Sequence, residues 1–159
     1  MTEGRRMDLD SVKKYLEKGS KNTSEVDSTP SKFLESLIMN GLSVDLIEPG
    51  HIVCSMKIPP RLLNSGNSLH GGATAALVDV VGAAAIPFAG YPRNSGVSVE
   101  ISVSYLDAVH AHEEIEIDAR VLRVGKAVAV VSVELRKKKS GKIFAQGRHT
   151  KYLALASKM

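Results

Sequence analysis

The chain has 159 residues, 43% hydrophobic and 4% aromatic, with no tryptophan, one cysteine and a formal charge of +4. That length suits one domain able to bury about two thirds of its unfolded surface, and the ordinary composition excludes a wholly disordered chain or a fibrous repeat. A lone cysteine excludes an internal disulfide framework and a cysteine-rich zinc site, and bases without interleaved aromatics give no reason to expect a nucleic-acid partner.

Residues 1–29 are polar and charged. They hold no apolar run that could serve as a secretory signal, and a soluble intracellular protein is expected. Leu9, Val12 and Leu16 follow one side of a short helix with too little apolar area to stand alone, so 1–29 reads as a mobile extension of a domain at 30–156. Ser28, Thr29 and Ser31 around Pro30 make a helix start, Phe33, Leu34, Leu37 and Ile38 keep helical spacing, and Asn40-Gly41 stops it. From Leu42 the period changes to two. Leu42, Val44 and Leu46 form one alternating set and Ile52, Cys54, Met56 and Ile58 another, a hairpin about Pro49-Gly50 with Cys54 buried as a small hydrophobe.

A loop containing Asn64, Gly66 and Asn67 leads to residues 69–90, LHGGATAALVDVVGAAAIPFAG. Small residues lie all around this helix, so it is expected to be enclosed by a sheet that approaches closely. Pro87 and Gly90 end it. Its longest apolar run, within 80–89, is about half of what a membrane span needs. One carboxylate, Asp79, interrupts it, and burying an ionised Asp without partners costs several kcal/mol. Asp79 therefore needs partners or a use.

The rest is strand: Val97 to Tyr105 in odd-numbered alternation, Ile115 to Val121 likewise, then Ala127 to Leu135 and Ile143 to Leu155, with turns at Gly125-Lys126 and Ser140-Gly141. Tight turns and no crossover helices exclude a doubly wound parallel sheet. The expected class is α+β, an antiparallel sheet wrapped around one long central helix.

Asn64, Leu69-His70-Gly71-Gly72, Asp79, Gly96-Val97-Ser98-Val99, Val124-Gly125-Lys126 and Ala145-Gln146-Gly147-Arg148-His149-Thr150-Lys151 together resemble, in order and spacing, the hotdog-fold acyl-CoA thioesterases of the 4-hydroxybenzoyl-CoA thioesterase superfamily. The resemblance covers roughly residues 34–153. It is greatest to the small single-domain type related to bacterial phenylacetate-pathway and animal acyl-CoA thioesterases. It implies the hotdog fold and hydrolysis of an acyl-CoA, of medium to long chain, to acid and CoA without metal or cofactor. Asp79 would then be general base or nucleophile, and the Gly71 N–H would polarise the thioester carbonyl. Asn64 would orient the carboxylate or the water, Ser98 would hold water, and His70 would orient the loop or contact substrate. Gly72 and Gly125 would belong to the substrate and CoA site, and Arg123, Lys126, Arg148 and Lys151, basic residues near the turns, could meet the CoA phosphates.

A helix N-terminus with two glycines is suited to oxyanion stabilisation. Gly71 and Asp79, eight residues apart, are separated by about 12 Å along a helix and cannot both touch one thioester carbon. An antiparallel second copy would bring its Asp79 opposite Gly71, so a homodimer with two composite sites, within a homotetramer, is expected.

Plainer readings stand beside these. Asp79 could be a structural carboxylate, His70 a cap, Asn64 a turn former and each basic residue part of a solvated face. Strand parity sets Ser98 opposite the apolar face. His110 and His112 lack a convincing third ligand, so no metal is expected. An aromatic acyl-CoA hydrolase, of phenylacetyl or hydroxynaphthoyl type, and a non-catalytic acyl-CoA or lipid-binding domain are the alternatives. Ser157-Lys158-Met159 resembles the peroxisomal Ser-Lys-Leu address, with the cytoplasm as the other expected location.

Overall fold

The computed structural model describes residues 8–20, 26–87 and 96–153, so the C-terminal tripeptide 157–159 and the expected helix stop at Gly90 lie outside the described residues. The chain divides into two compact units, Met1–Ser36 and Leu37–Met159. In the first, a helix runs over Leu9–Ser20. Asp8 caps it, accepting from the N–H groups of Asp10 at 3.2 Å and Ser11 at 3.3 Å, and the bond from the Ser11 hydroxyl, the largest influence, holds the Asp8 carboxyl below its usual range. Its apolar stripe, Leu9, Val12 and Leu16, is exposed. No described helix is long and apolar enough to cross a membrane.

A short helix, Phe33–Met39, leads into the second unit. There the strands are β1 (Ser43–Glu48), β2 (His51–Lys57), β3 (Val97–Tyr105), β4 (Glu114–Val124), β5 (Val128–Lys137) and β6 (Ile143–Tyr152), with the central helix at Gly71–Ala85. They form one antiparallel sheet ordered β1-β2-β4-β5-β6-β3. The expected helix, hairpin, long helix and four strands are all present. One connection departs from a simple succession of turns: β3 pairs with β6, and the chain returns across the sheet to β4. Leu106 and Asp107 donate to Phe144 O, and Leu69 N–H donates to Val109 O, which fastens that return to its neighbours.

The core lies between the sheet and the helix. Ile117, Val131, Val133 and Leu135 point from the sheet at Leu77, Val78 and Val81, all buried, and each such side chain contributes about 1.5–3 kcal/mol on leaving water. Gly147 marks the closest approach, since a Cβ there would meet Val78 Cγ1 and Cγ2 at 2.9 Å. Cys54 is buried as expected, and burial, with Asp45 adding, pushes its thiol up to about 11.

The opposite face of the sheet is polar. Asp118 there is nearly buried and meets His51 at 2.9 Å, Arg120 at 3.3 Å and Arg136 at 3.3 Å. Burial pulls its carboxyl upward, but those partners outweigh it and hold it below the usual range.

The helix is not enclosed on every side. Gly72 is exposed and Ala75, Ala76, Asp79, Val80 and Ala84 are half-buried. These positions repeat at three and four residues, so one stripe of small side chains faces outward.

Candidate active site

His70 begins the central helix with an extended backbone, and its Nδ1 accepts from Gly72 N–H at 2.9 Å. The imidazole thereby satisfies one of the unpaired donors of the first turn. The Gly71 N–H has no acceptor among the described residues. The Tyr105 hydroxyl donates to Gly71 O at 2.7 Å, which holds the turn against β3. Asn64 shapes its own loop, its Oδ1 accepting from Gly66 N–H at 2.9 Å and Ser68 N–H at 3.1 Å. Asn64, Gly71, Gly72 and Tyr105 line one depression of about 710 Å³.

Asp79 belongs to a second depression of about 400 Å³, walled by Ala75, Ala76, Ile101, Val103 and Tyr105. Its side chain is 47% exposed. Ser98 donates to Asp79 Oδ1 at 3.0 Å, and the Ser98 hydroxyl also lies 2.8 Å from His149 Nε2, itself 3.3 Å from the same carboxylate oxygen. With the serine proton committed to Asp79, the imidazole must carry its proton on Nε2 and donate to Ser98. His149 is fully buried, and its Nδ1 has no hydrogen-bond partner. A proton on Nδ1 would be stranded, so the ring is neutral. Its pKa is accordingly lowered, by burial first and by the nearby Lys151 charge, against the opposing pull of Asp79.

The Ser98 hydroxyl reaches Asp79 because of a bulge. Ser98 pairs with Lys151 and Glu100 with Thr150, so β3 spends two steps where β6 spends one. Val99 is the extra residue, and it turns the strand's parity over. Ser98 therefore shares the helix-facing side with Ile101 and Val103, contrary to the parity expectation for it.

His149 is the residue that sequence reasoning missed, having entered only as part of a terminal motif. A usable signal existed: it alternates in phase with Ala145 and Gly147 on β6, and Asp79 is the only carboxylate in the helix that strand faces.

Arg123, Gly125 and Lys126 come together at the β4–β5 turn, around a depression of about 390 Å³. Arg148 is exposed on the opposite face of β6 from His149 and is not part of that lining. Lys151, expected as a flexible surface cation, is instead 4% exposed. It lies in phase with His149, which turns it inward. No group of three His, Cys, Asp or Glu side chains among the described residues is placed to hold a metal ion, and the His110 ring lies against Asn67 O at 3.2 Å.

One chain thus presents a carboxylate with two supporting polar groups in one depression and a helix N-terminus in another, joined by Tyr105. A family model for the thioesterase superfamily matches residues 66–144. Human acyl-coenzyme A thioesterase 13 is 43% identical over 107 residues, which are 66% of this chain and 74% of that one. Zebrafish thioesterase superfamily member 2 superposes with a TM-score of 0.70 at 35% identity, covering 92% of this chain and 99% of that one. The Mus musculus thioesterase superfamily member 2 gives 0.69 at 37%, covering 77% and 89%. With that identity over about three quarters of the human relative, and with those superpositions, the chain belongs to the thioesterase superfamily.

Proposed function

We propose that the protein hydrolyses acyl-CoA thioesters to free acid and CoA, with Asp79 as general base, in sites assembled from two subunits. The observation that carries the reading is the Asp79–Ser98–His149 cluster on the open side of a helix whose free N–H, at Gly71, lies in a different depression of the same chain. The name of the human relative, an acyl-coenzyme A thioesterase, supports the substrate class. The apolar wall of Ile101 and Val103 beside Asp79 suits an apolar acyl group, and a medium- to long-chain aliphatic one is the reading put to the test below.

In this mechanism a water in the open depression gives its proton to the ionised Asp79 and its oxygen bonds to the thioester carbon. The oxyanion that forms is held by Gly71 N–H of the second copy. The C–S bond then breaks, and the CoA sulfur leaves with the proton returned by Asp79. Ser98 and His149 fix one carboxylate oxygen, which leaves the other for the water.

Thiol release from acyl-CoAs of increasing aliphatic length, with phenylacetyl-CoA alongside, is expected to be greatest for the longer aliphatic chains. A panel releasing no CoA above an Asp79→Ala control would remove the enzyme reading. The composite site has its own test. Subunits carrying Asp79→Ala and Gly71→Val are each inactive alone, but each mixed dimer keeps one intact site. Statistical mixing should restore about one quarter of wild-type activity. No recovery in verified heterodimers would place both groups in one chain's site.

A further inference from the structure

The Gly71 N–H, on which the mechanism above depends, belongs to a pair of adjacent glycines. Glycines are the residues least able to hold a first helical turn by their own preference. What holds this one can be followed peptide by peptide. His70 N–H, just before it, donates to Leu62 O at 2.8 Å, and His70 O, on the same peptide as the free N–H, accepts from Thr74 N–H at 3.1 Å. The next peptide is held at both ends: its N–H donates to His70 Nδ1 at 2.9 Å and its carbonyl accepts from the Tyr105 hydroxyl at 2.7 Å. Among the described residues, that hydroxyl is the only side chain of another element bonded to the two glycines. Tyr105 is itself well anchored. It pairs with Ala145 on β6, and Leu106 and Asp107 N–H donate to Phe144 O at 2.8 and 3.2 Å. Its ring lies against Gly71, where a Cβ would sit 3.4 Å from both Cζ and Oη. The residue is 56% exposed, so core packing does not account for this placement.

We propose that Tyr105 is a positioning residue for the oxyanion donor: by holding Gly71 O, its hydroxyl fixes the first turn and aims the Gly71 N–H. This rests on the reading of Gly71 as that donor in thioester hydrolysis. Peptide units are planar, so only φ and ψ of Gly71 relate the two planes that meet at it. With one plane held at His70 O and the other at both ends, neither angle is free. Without the hydroxyl, the second plane keeps only the His70 Nδ1 bond, about which it can turn, and the two glycines offer little resistance. A donor aimed in advance costs no reorganisation when the oxyanion forms. Tyr105 walls both depressions, but its one proton goes to Gly71 O and is not available to Asp79 or to substrate. β3 thus supports the helix at two functional points, Ser98 at Asp79 and Tyr105 at Gly71.

The test uses Tyr105→Phe, which keeps the ring and removes the bond, with Tyr105→Leu, which removes both. In Tyr105→Phe, kcat should fall by about tenfold while KM stays within about twofold. The acid limb of the kcat/KM profile should stay where it is, because Asp79 keeps its partners. Tyr105→Leu should lose at least as much. Independently of turnover, the NMR order parameter of the Gly71 N–H should drop from about 0.85 to below about 0.6 in Tyr105→Phe, with the helix from Ala76 onward unchanged. That readout stands even if no acyl-CoA is hydrolysed, which separates failure here from failure of the proposed function. An unmoved order parameter or a wild-type kcat overturns the proposal. So does a rise in KM alone, which would make Tyr105 a substrate contact, or a shifted acid limb, which would place its action at Asp79.

Discussion

Asp79→Asn is expected to lower kcat by about 10²–10⁴-fold and to leave the thermal unfolding curve almost unchanged. The asymmetry follows from the surroundings. The side chain is 47% exposed, so the folded state invests little in its charge. An asparagine oxygen could still accept from Ser98 and His149, preserving the geometry at 3.0 and 3.3 Å. What disappears is the group that takes the proton, needed in the transition state more than in the ground state, so KM should stay within about threefold. A loss below tenfold, measured by thiol release, would take Asp79 out of the chemistry. The wild type can also reveal how the carboxylate acts. In a single turnover in ¹⁸O water, label found in Asp79 would show direct attack followed by water opening the mixed anhydride at the Asp79 carboxyl carbon, whereas general-base action puts the label only in the released acid.

The second large effect concerns stability. Gly96→Ala should destabilise the fold by about 3–5 kcal/mol, lowering Tm by roughly 10–15 °C. Gly96 has φ +78°, and a Cβ there would lie 2.3 Å from Tyr152 O. The left-handed backbone alone costs about 1–2 kcal/mol for an L-residue. The clash adds more because its partner is main chain: Val97 pairs with Tyr152, so moving one strand moves the first rung of the β3–β6 ladder. Gly41→Ala is the control, since its φ is +98° with nothing within 4 Å. Calorimetry should show only the smaller dihedral cost there. Equal melting temperatures for the two variants would show that the strands absorb the clash. Gly96→Ala should also lose activity out of proportion to its unfolded fraction, because β3 brings Ser98 to Asp79.

Much of the fold could be read from the residues. His70-Gly71-Gly72 announced the central helix, Pro87 its end, and the period-two runs announced the strands, because these signals are local. The pairing of β3 with β6 was not local. It depends on a return across the sheet that leaves no mark in either strand's pattern. In the candidate site, Asp79 and Gly71 stood out as a charge and a flexible turn in an apolar helix. His149 did not, because a histidine within a polar-looking Gln146-Gly147-Arg148 context shows its burial only once the strand's inward phase is fixed by the Gly147–Val78 approach. Lys151 was read as a surface cation because lysines usually are. The helix was read as fully enclosed because small residues on all sides look alike in a wheel; the structure leaves the Gly72–Ala76–Asp79 stripe open.

The extra residue at Val99 separates two jobs that one strand would otherwise have to share. Beyond it, Ile101 and Val103 answer to packing beside the helix; before it, Ser98 answers to the carboxylate. Without the bulge, a single alternation would tie the chemistry of position 98 to the hydrophobic phase of the whole strand, and a hydroxyl could enter the site only by turning the apolar residues outward. One residue of added length makes the two stretches independently variable, so substitutions on either side of Val99 are constrained by different physics although they lie in one continuous strand.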